Sequence, residues 1–310
     1  MAVLVAQKIT VMFIILALGV LCFHKGLLDS SMNGKLSNFL LQVVNPIVIF
    51  VSYQIDFDPS LLRNLGIVLI LSAAGFVLQI LAAKLLLPQK SPDWAIERLS
   101  AVYGNCGFIG IPLINELFGR EGVFYMTAYL TVFYLFFWTH GVLLMTGKNS
   151  ARETMKNLLS PAVIGVIMGL ACFLLQIHLP QLFVDALDSV GSMNTPLAML
   201  VAGATLGQAG LRSLLQRPRA YYVSFLKLAV VPALTILILA FLQSPEAVKV
   251  TLILASGCPV GACCTMFALQ YKKDGEYASV IFTVSTVLAG ITLPALIALS
   301  EILGILSGKA

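Results

Sequence analysis

The sequence predicts an all-α integral membrane protein, and three observations support this fold class. Of the 310 residues, 59% are hydrophobic and only 11% are charged, whereas about a quarter of a typical soluble domain is charged. The mean hydropathy is +0.96, which is more apolar surface than the core of one soluble domain can hide. The apolar residues also form runs of about 20 residues, the length of a helix that crosses a bilayer.

Taken in order, these runs predict ten transmembrane helices joined by short loops. The first run lacks a basic leader and a small-residue cleavage site, so we interpret it as a retained span rather than a signal peptide. The seventh contains Asp185 and Asp188 in its first turns, which are therefore expected at the membrane surface. The predicted spans are 3–23, 36–55, 63–87, 96–118, 121–146, 160–177, 181–208, 219–242, 247–271 and 276–305.

Basic residues are concentrated in alternate loops. The odd-numbered loops hold Lys25, Lys35, Lys84, Lys90, Arg98, Lys148, Arg152, Lys156, Arg212, Arg217, Arg219, Lys272 and Lys273. The even-numbered loops hold only Arg63, Arg120 and Lys249, and the termini add Lys8 and Lys309. Cytoplasmic loops carry the excess of Lys and Arg, so the odd loops are predicted to face the cytoplasm of a plasma or bacterial inner membrane, with both termini outside. The basic residues form no continuous stripe, which argues against nucleic acid as a partner.

Motifs for metal binding or catalysis are missing from the sequence. The six cysteines all fall in apolar runs, and none has a histidine at metal-ligand spacing. There is no zinc-protease, serine-hydrolase or phosphate-loop motif. We therefore predict no metal, no cofactor and no enzyme activity.

The two halves of the chain, residues 1–155 and 156–310, carry matching features in the same order. The matched pairs are Asn45-Pro46 with Asn194-Thr195-Pro196, the break at Gly107 with that at Gly257, and Arg120-Glu121-Gly122 with Gly275-Glu276-Tyr277. Five spans is an odd number, so the second copy must cross the membrane in the opposite sense. Inverted repeats are typical of secondary transporters. The alternative is coincidence, since Pro and Gly are common in membrane helices.

Two of the predicted helices are interrupted near their middles. Span 4 contains Gly104, Gly107, Gly110 and Pro112, and span 9 contains Gly257, Cys258, Pro259 and Gly261. A proline removes one N–H and frees the carbonyl four residues earlier. Unpaired backbone groups are tolerated at membrane depth only against protein or a water-filled cavity. If the breaks meet, half-helix N-termini can bind an anion there; the alternative is a pair of plain kinks in packed helices.

These residues also carry a family resemblance. The stretch Gly104 to Leu113 resembles the Asn-x-Gly-Phe-x-Gly-x-Pro-Leu signature of the auxin efflux carrier family of transporters. Further landmarks, in order along nearly the whole chain, are Asn45-Pro46, Ser160-Pro161-Ala162, Pro196-Leu197-Ala198 and the run from Lys227 to Pro232. The resemblance implies two inverted five-helix repeats of the bile acid/auxin carrier-like fold, with broken helices 4 and 9 crossing near the midplane. It also implies a core of spans 3–5 and 8–10 that moves against a scaffold of spans 1, 2, 6 and 7.

The same resemblance implies a function. Bacterial members of the family are usually linked to small organic acids, mono- or dicarboxylates such as malate or malonate, carried by an elevator-like motion in a homodimer. A solute-gated channel or sensor on the same fold is the alternative, and coupling to a proton, to sodium or to neither stays open. The expected substrate site comprises Asn45, Tyr103, Asn105, Gly107, Gly110, Pro112, Lys227, Cys258, Pro259, Gly261 and Cys263. Many relatives carry an asparagine where this chain has Cys263 and Cys264, so Asn105 is the main polar candidate.

Lys227 is the only basic residue deep in a predicted span. It lies eight residues into span 8, or about 12 Å along the helix, where a charge costs about 2.5–3.5 kcal/mol. We weigh two interpretations: a charge that attracts a carboxylate or gates the site, or a lysine whose long stem reaches the headgroups. The motifs Gly165-x-x-x-Gly169 and Gly203-x-x-x-Gly207 predict close contacts between helices inside the protein.

Overall fold

A computed structural model of the chain describes residues 1–147, 160–208 and 216–306. Every regular element in these ranges is a helix, and the one β-bridge there joins Gly104 to Val260. The α-helices are α1 (Ala2–His24), α2 (Ser30–Phe39), α3 (Asn45–Ser52), α4 (Pro59–Leu86), α5 (Trp94–Val102), α6 (Ile111–Phe136), α7 (Val142–Thr146), α8 (Pro161–Leu174), α9 (Gln181–Gly191), α10 (Asn194–Gly207), α11 (Pro218–Phe225), α12 (Val231–Leu239), α13 (Glu246–Gly257), α14 (Ala262–Gln270) and α15 (Gly275–Ile302). The predicted all-α class is confirmed.

Six helical segments within these ranges are long and apolar enough to cross a membrane, which makes the chain a multi-pass membrane protein. They are Ala2–His24, Ser30–Ser52, Pro59–Leu86, Cys106–Thr146, Pro218–Leu239 and Gly275–Ile302. Predicted spans 4, 7 and 9 are each interrupted: span 4 between α5 and α6, span 7 between α9 and α10, and span 9 between α13 and α14. The predicted loop between spans 4 and 5 is a sharp kink inside α6 at Gly119, whose φ of +56° favours glycine.

Wider π-helical turns precede three of the prolines inside the helices. These turns are Leu40–Val44, Cys106–Gly110 and Leu226–Val230, and each is followed by a helix with proline at its second residue: Pro46, Pro112 and Pro232. A proline ring clashes with the carbonyl four residues earlier and offers it no N–H. A π-helical turn absorbs this defect because its hydrogen bonds reach one residue farther.

The small residues of the predicted Gly-x-x-x-Gly motifs let helices of the same chain touch. A Cβ atom on Gly203 of α10 would lie 2.0 Å from the Leu16 carbonyl oxygen of α1, and one on Gly169 of α8 would lie 2.6 Å from the Tyr53 ring. Internal packing of both motifs is thereby confirmed. The boundary proposed between residues 155 and 156 lies outside the described residues, as do the loop charges of Lys148, Arg152, Lys156, Arg212 and Lys309.

Candidate functional site where two broken helices cross

The two interrupted segments meet backbone to backbone. Asn105 N–H donates to the Pro259 carbonyl at 2.7 Å, and Gly261 N–H donates to the Tyr103 carbonyl at 3.0 Å. These bonds form the antiparallel bridge between Gly104 and Val260. The helix breaks predicted from the glycines and prolines are therefore one structural feature, in which each extended segment satisfies backbone groups of the other.

Side chains provide hydrogen-bond partners for other backbone groups that the helix breaks leave unpaired at the crossing. Pro259 has no N–H for the carbonyl of Ala255 four residues earlier, and the Cys106 thiol donates to that carbonyl at 3.3 Å instead. Val260 N–H donates to Ser285 Oγ at 3.0 Å. The half-helix ends thus have specific hydrogen-bond partners at the crossing.

A cavity of about 250 Å³ opens beside the crossing. Its wall is mainly aromatic and aliphatic, and the described residues that line it include no Lys, Arg, Asp or Glu. They are Ser37, Leu41, Gly104, Asn105, Gly107, Phe108, Leu130, Phe133, Tyr134, Phe137, Trp138, Ala262, Cys263, Met266, Phe267 and Gln270. A ligand here meets an apolar wall with a few polar groups near the crossing, the usual composition of a small-molecule site.

Asn105 supplies the clearest polar group of the cavity. Asn105 is 6% exposed, and its amide nitrogen Nδ2 has no hydrogen-bond partner among the described residues. Leaving a buried donor unpaired costs about 1–3 kcal/mol, so an acceptor on a bound ligand would stabilise this arrangement.

The N-terminus of α14 lies at the same wall. Ala262 and Cys263, its first residues, line the cavity. First-turn N–H groups have no acceptor within their own helix, although that of Cys264 donates to the Gly261 carbonyl at 2.9 Å. The partial positive charge at a helix N-terminus favours an anionic ligand.

The structure brings some of the predicted site residues to the cavity and places others behind it. Asn105, Gly107 and Cys263 line it. Pro259 and Gly261 contribute their backbones to the crossing. Gly110, Pro112 and Cys258 are buried in the packing of the crossing, where a Cβ on Gly110 would lie 3.3 Å from Cys258 Sγ.

Tyr103, Asn45 and Lys227 are not among the residues that line the cavity. The Tyr103 hydroxyl donates to the Phe136 carbonyl at 2.8 Å, and its ring packs against Phe133 and Phe137. Asn45 Oδ1 accepts a hydrogen bond from Asn194 Nδ2 at 2.9 Å.

The side chain of Lys227 is fully buried and bonds backbone carbonyls, so its ammonium does not extend to the surface. This excludes the interpretation in which the lysine reaches the headgroups.

Sequence reasoning missed the aromatic wall. It comes chiefly from Phe133, Tyr134, Phe137 and Trp138 at the end of α6 and in the π-helical turn Phe137–Gly141, with Phe267 of α14 opposite. The ring centroids of Phe137 and Phe267 are 4.2 Å apart. The dense run of aromatic residues from 133 to 138 was the available signal, but apolar side chains in a membrane helix can equally face lipid.

A family model described as "membrane transport protein" matches residues 4–157 and residues 153–297, which together include both broken helices. A search of curated proteins finds no significant match.

Proposed function

The chain belongs to the auxin efflux carrier family of membrane transport proteins, and from this premise we propose that it is a secondary carrier for a small organic anion. The family assignment fits a transporter rather than an enzyme. One observation carries the proposal: Asn105, whose buried amide nitrogen has no partner among the described residues, lines a cavity of about 250 Å³ beside the crossing. A carboxylate there can accept from Asn105 and lie near the N-terminus of α14.

The proposed architecture is ten spans in two inverted repeats, residues 1–155 and 156–310. Its support is that corresponding segments of the two halves contact each other. Asn45 bonds Asn194, and the broken segment of the first half bridges that of the second between Gly104 and Val260. Contacts between corresponding segments are expected around a two-fold axis that lies in the membrane plane.

The lining favours one of the two carboxylate classes over the other. A dicarboxylate such as malate or malonate brings two negative charges, and the described lining has no basic side chain to balance a second one. Burying an unpaired charge is costly. A monocarboxylate with an apolar body instead places its single charge at Asn105 and its body against Phe133, Phe137 and Phe267. We propose this class as the substrate.

The proposed alternating access is supported by the position of the cavity, which lies between the proposed scaffold and core. Ser37 and Leu41 come from span 2 of the scaffold, and the rest of the lining comes from the core. Ser37 and Gln270 lie near loops 1 and 9, which the basic residues assign to the cytoplasm. The cavity is therefore proposed to face the cytoplasm, in a plasma or inner membrane with both termini outside.

Contacts on the opposite side tie the scaffold to the core. Tyr53 Oη lies 2.6 Å from Thr127 Oγ1, and Lys8 forms an ion pair with Glu116 at 2.8 Å. Arg120 pairs with Asp188 of α9 and also donates to the Gln54 carbonyl at 3.2 Å. In an elevator-like cycle these contacts break when the core moves outward. A homodimer through the scaffold stays a prediction.

Counterflow in liposomes tests the proposal. Purified protein is reconstituted, and exchange of labelled butyrate, benzoate and phenylacetate is compared with that of malonate and malate at about pH 8, where all are ionised. We expect faster uptake of the labelled monocarboxylate when the unlabelled one is present on the other side. Protein-free liposomes measure passive leakage. Flux without this acceleration indicates a channel, and absence of exchange for every acid contradicts the carrier.

A further inference from the structure

A buried ammonium group lies beneath the crossing. Lys227, in the π-helical turn Leu226–Val230, is 0% exposed. Its Nζ donates to the Ser256 carbonyl at 3.0 Å and to the Val102 carbonyl at 3.4 Å. A Cβ atom on Gly104 would lie 3.2 Å from Nζ, so a side chain at position 104 would crowd the ammonium.

Both carbonyls belong to the ends of half-helices. Val102 is the last residue of α5, and Ser256 is the residue before the last of α13. In a continuous helix the Val260 N–H would bond to the Ser256 carbonyl, but here it donates to Ser285 Oγ. The carbonyl groups at these two helix C-termini lack partners within their own helices, and both point to a single nitrogen atom, Nζ of Lys227.

The charge of the lysine is balanced by these helix ends rather than by a carboxylate. Among the described residues, no Asp or Glu oxygen forms an ion pair with Lys227. Each helix C-terminus carries about half a negative charge, so two of them together match one ammonium. Backbone carbonyls grouped in this way are also ligands that hard metal cations prefer.

We propose that Lys227 is a positioning residue whose ammonium permanently fills a monovalent-cation site at the crossing, and that it thereby makes the carrier independent of an alkali coupling ion. The independence from a coupling ion rests on the proposed carrier function. The filled cation site does not, because it concerns the contacts between α5 and α13. Removal of the side chain should leave a vacancy that a small cation can enter.

The test compares Lys227→Ala with wild type by thermal unfolding in detergent and by counterflow. Sodium, potassium and ammonium chloride are each varied from about 5 to about 500 mM. Choline chloride keeps the ionic strength constant, and choline is too large for the vacancy. Lys249→Ala is the matched control, because Lys249 Nζ also donates to a backbone carbonyl, that of Ile305 at 3.0 Å, but away from the crossing.

We expect the unfolding midpoint of Lys227→Ala to rise by about 3 °C or more with at least one small cation. The midpoints of wild type and Lys249→Ala should not respond. Exchange by wild type should be the same in sodium and in choline, whereas that of Lys227→Ala should recover only with the small cation. The unfolding measurement needs no substrate, so it decides the cation site even if the liposomes transport none of the acids.

Two results would overturn the proposal. One is an unfolding midpoint of Lys227→Ala in choline that equals that of wild type, and the other is a midpoint of Lys227→Ala that choline raises as much as the small cations do. If Lys227→Ala does not fold, Lys227→Gln decides, since its amide can still donate to both carbonyls without a charge. We expect Lys227→Gln to unfold at a lower temperature than wild type. Equality in every salt would show that only the hydrogen bonds matter, and it too would refute the proposal.

Discussion

Asn105→Ala removes a side-chain amide from the part of the described cavity lining that lies beside the crossing. Asn105 is 6% exposed, so little water is available to replace its hydrogen bond to a ligand. A hydrogen bond to a charged partner contributes about 1.5–3 kcal/mol. At about 1.4 kcal/mol for each factor of ten, the dissociation constant for the carboxylate should rise by about 10- to 150-fold. Asn105→Asp should weaken binding further, because it places a second negative charge beside the first.

The dissociation constant can be measured by tryptophan fluorescence, because Trp138 lines the cavity and only one other tryptophan, Trp94, is present. Trp94→Phe leaves Trp138 as the sole reporter. Asn64→Ala is the control: Asn64 is also buried, but its amide donates to the Tyr125 hydroxyl at 3.3 Å and does not line the cavity. A dissociation constant within twofold of wild type for a folded Asn105→Ala protein would refute the reasoning.

Three further predictions follow from other parts of the structure. Gly203→Ala should lower the free energy of unfolding by about 1–3 kcal/mol, since its Cβ would lie 2.0 Å from the Leu16 carbonyl oxygen. Gly66→Ala, inside α4 with nothing within 4 Å of the added Cβ, should not lower it in the same unfolding assay. In a protein with Cys22 and Cys172 replaced by alanine, a membrane-permeant maleimide should label the partly exposed Cys263, and substrate should slow this labelling. Labelling of the buried Cys106, Cys258 or Cys264 at the same rate would contradict the placement of Cys263 on the cavity wall. Glu97→Gln should lower the free energy of unfolding by about 1–3 kcal/mol, because it leaves Arg219 without its buried carboxylate partner. This loss is smaller than that for a fully buried pair, since Arg219 is 45% exposed. Glu116→Gln, at the partly exposed pair with Lys8, should cost under about 1 kcal/mol, and equal losses for the two variants would contradict this ranking.

The helix breaks were predictable because their causes are local. Pro112 and Pro259 cannot donate backbone hydrogen bonds, and the glycines around them weaken the helix wherever they are placed. A membrane allows such defects only where other protein groups or a cavity receive them. The positions of the two breaks therefore needed no coordinates. That the broken helices cross was implied by the family resemblance, and the bridge between Gly104 and Val260 confirms that they meet.

Side-chain direction was not predictable in the same way. Tyr103 and Asn105 are two residues apart, yet the first packs its ring against Phe133 and the second lines the cavity. The backbone is extended at Tyr103 and neither helical nor extended at Asn105, so no helical periodicity relates their directions. The aromatic wall was hidden for a related reason: hydropathy does not distinguish a side chain that faces lipid from one that faces a cavity.

By itself the sequence determined that the chain folds in lipid and at which residues its helices break, because composition and proline chemistry act locally. Only the tertiary structure decided the partners of the groups freed at those breaks. Whether Lys227 would bind a ligand, reach the surface or cap two helix ends depended on contacts with Val102 and Ser256, residues 125 and 29 positions away along the chain. Contacts at such separations arise from packing, which no local pattern encodes.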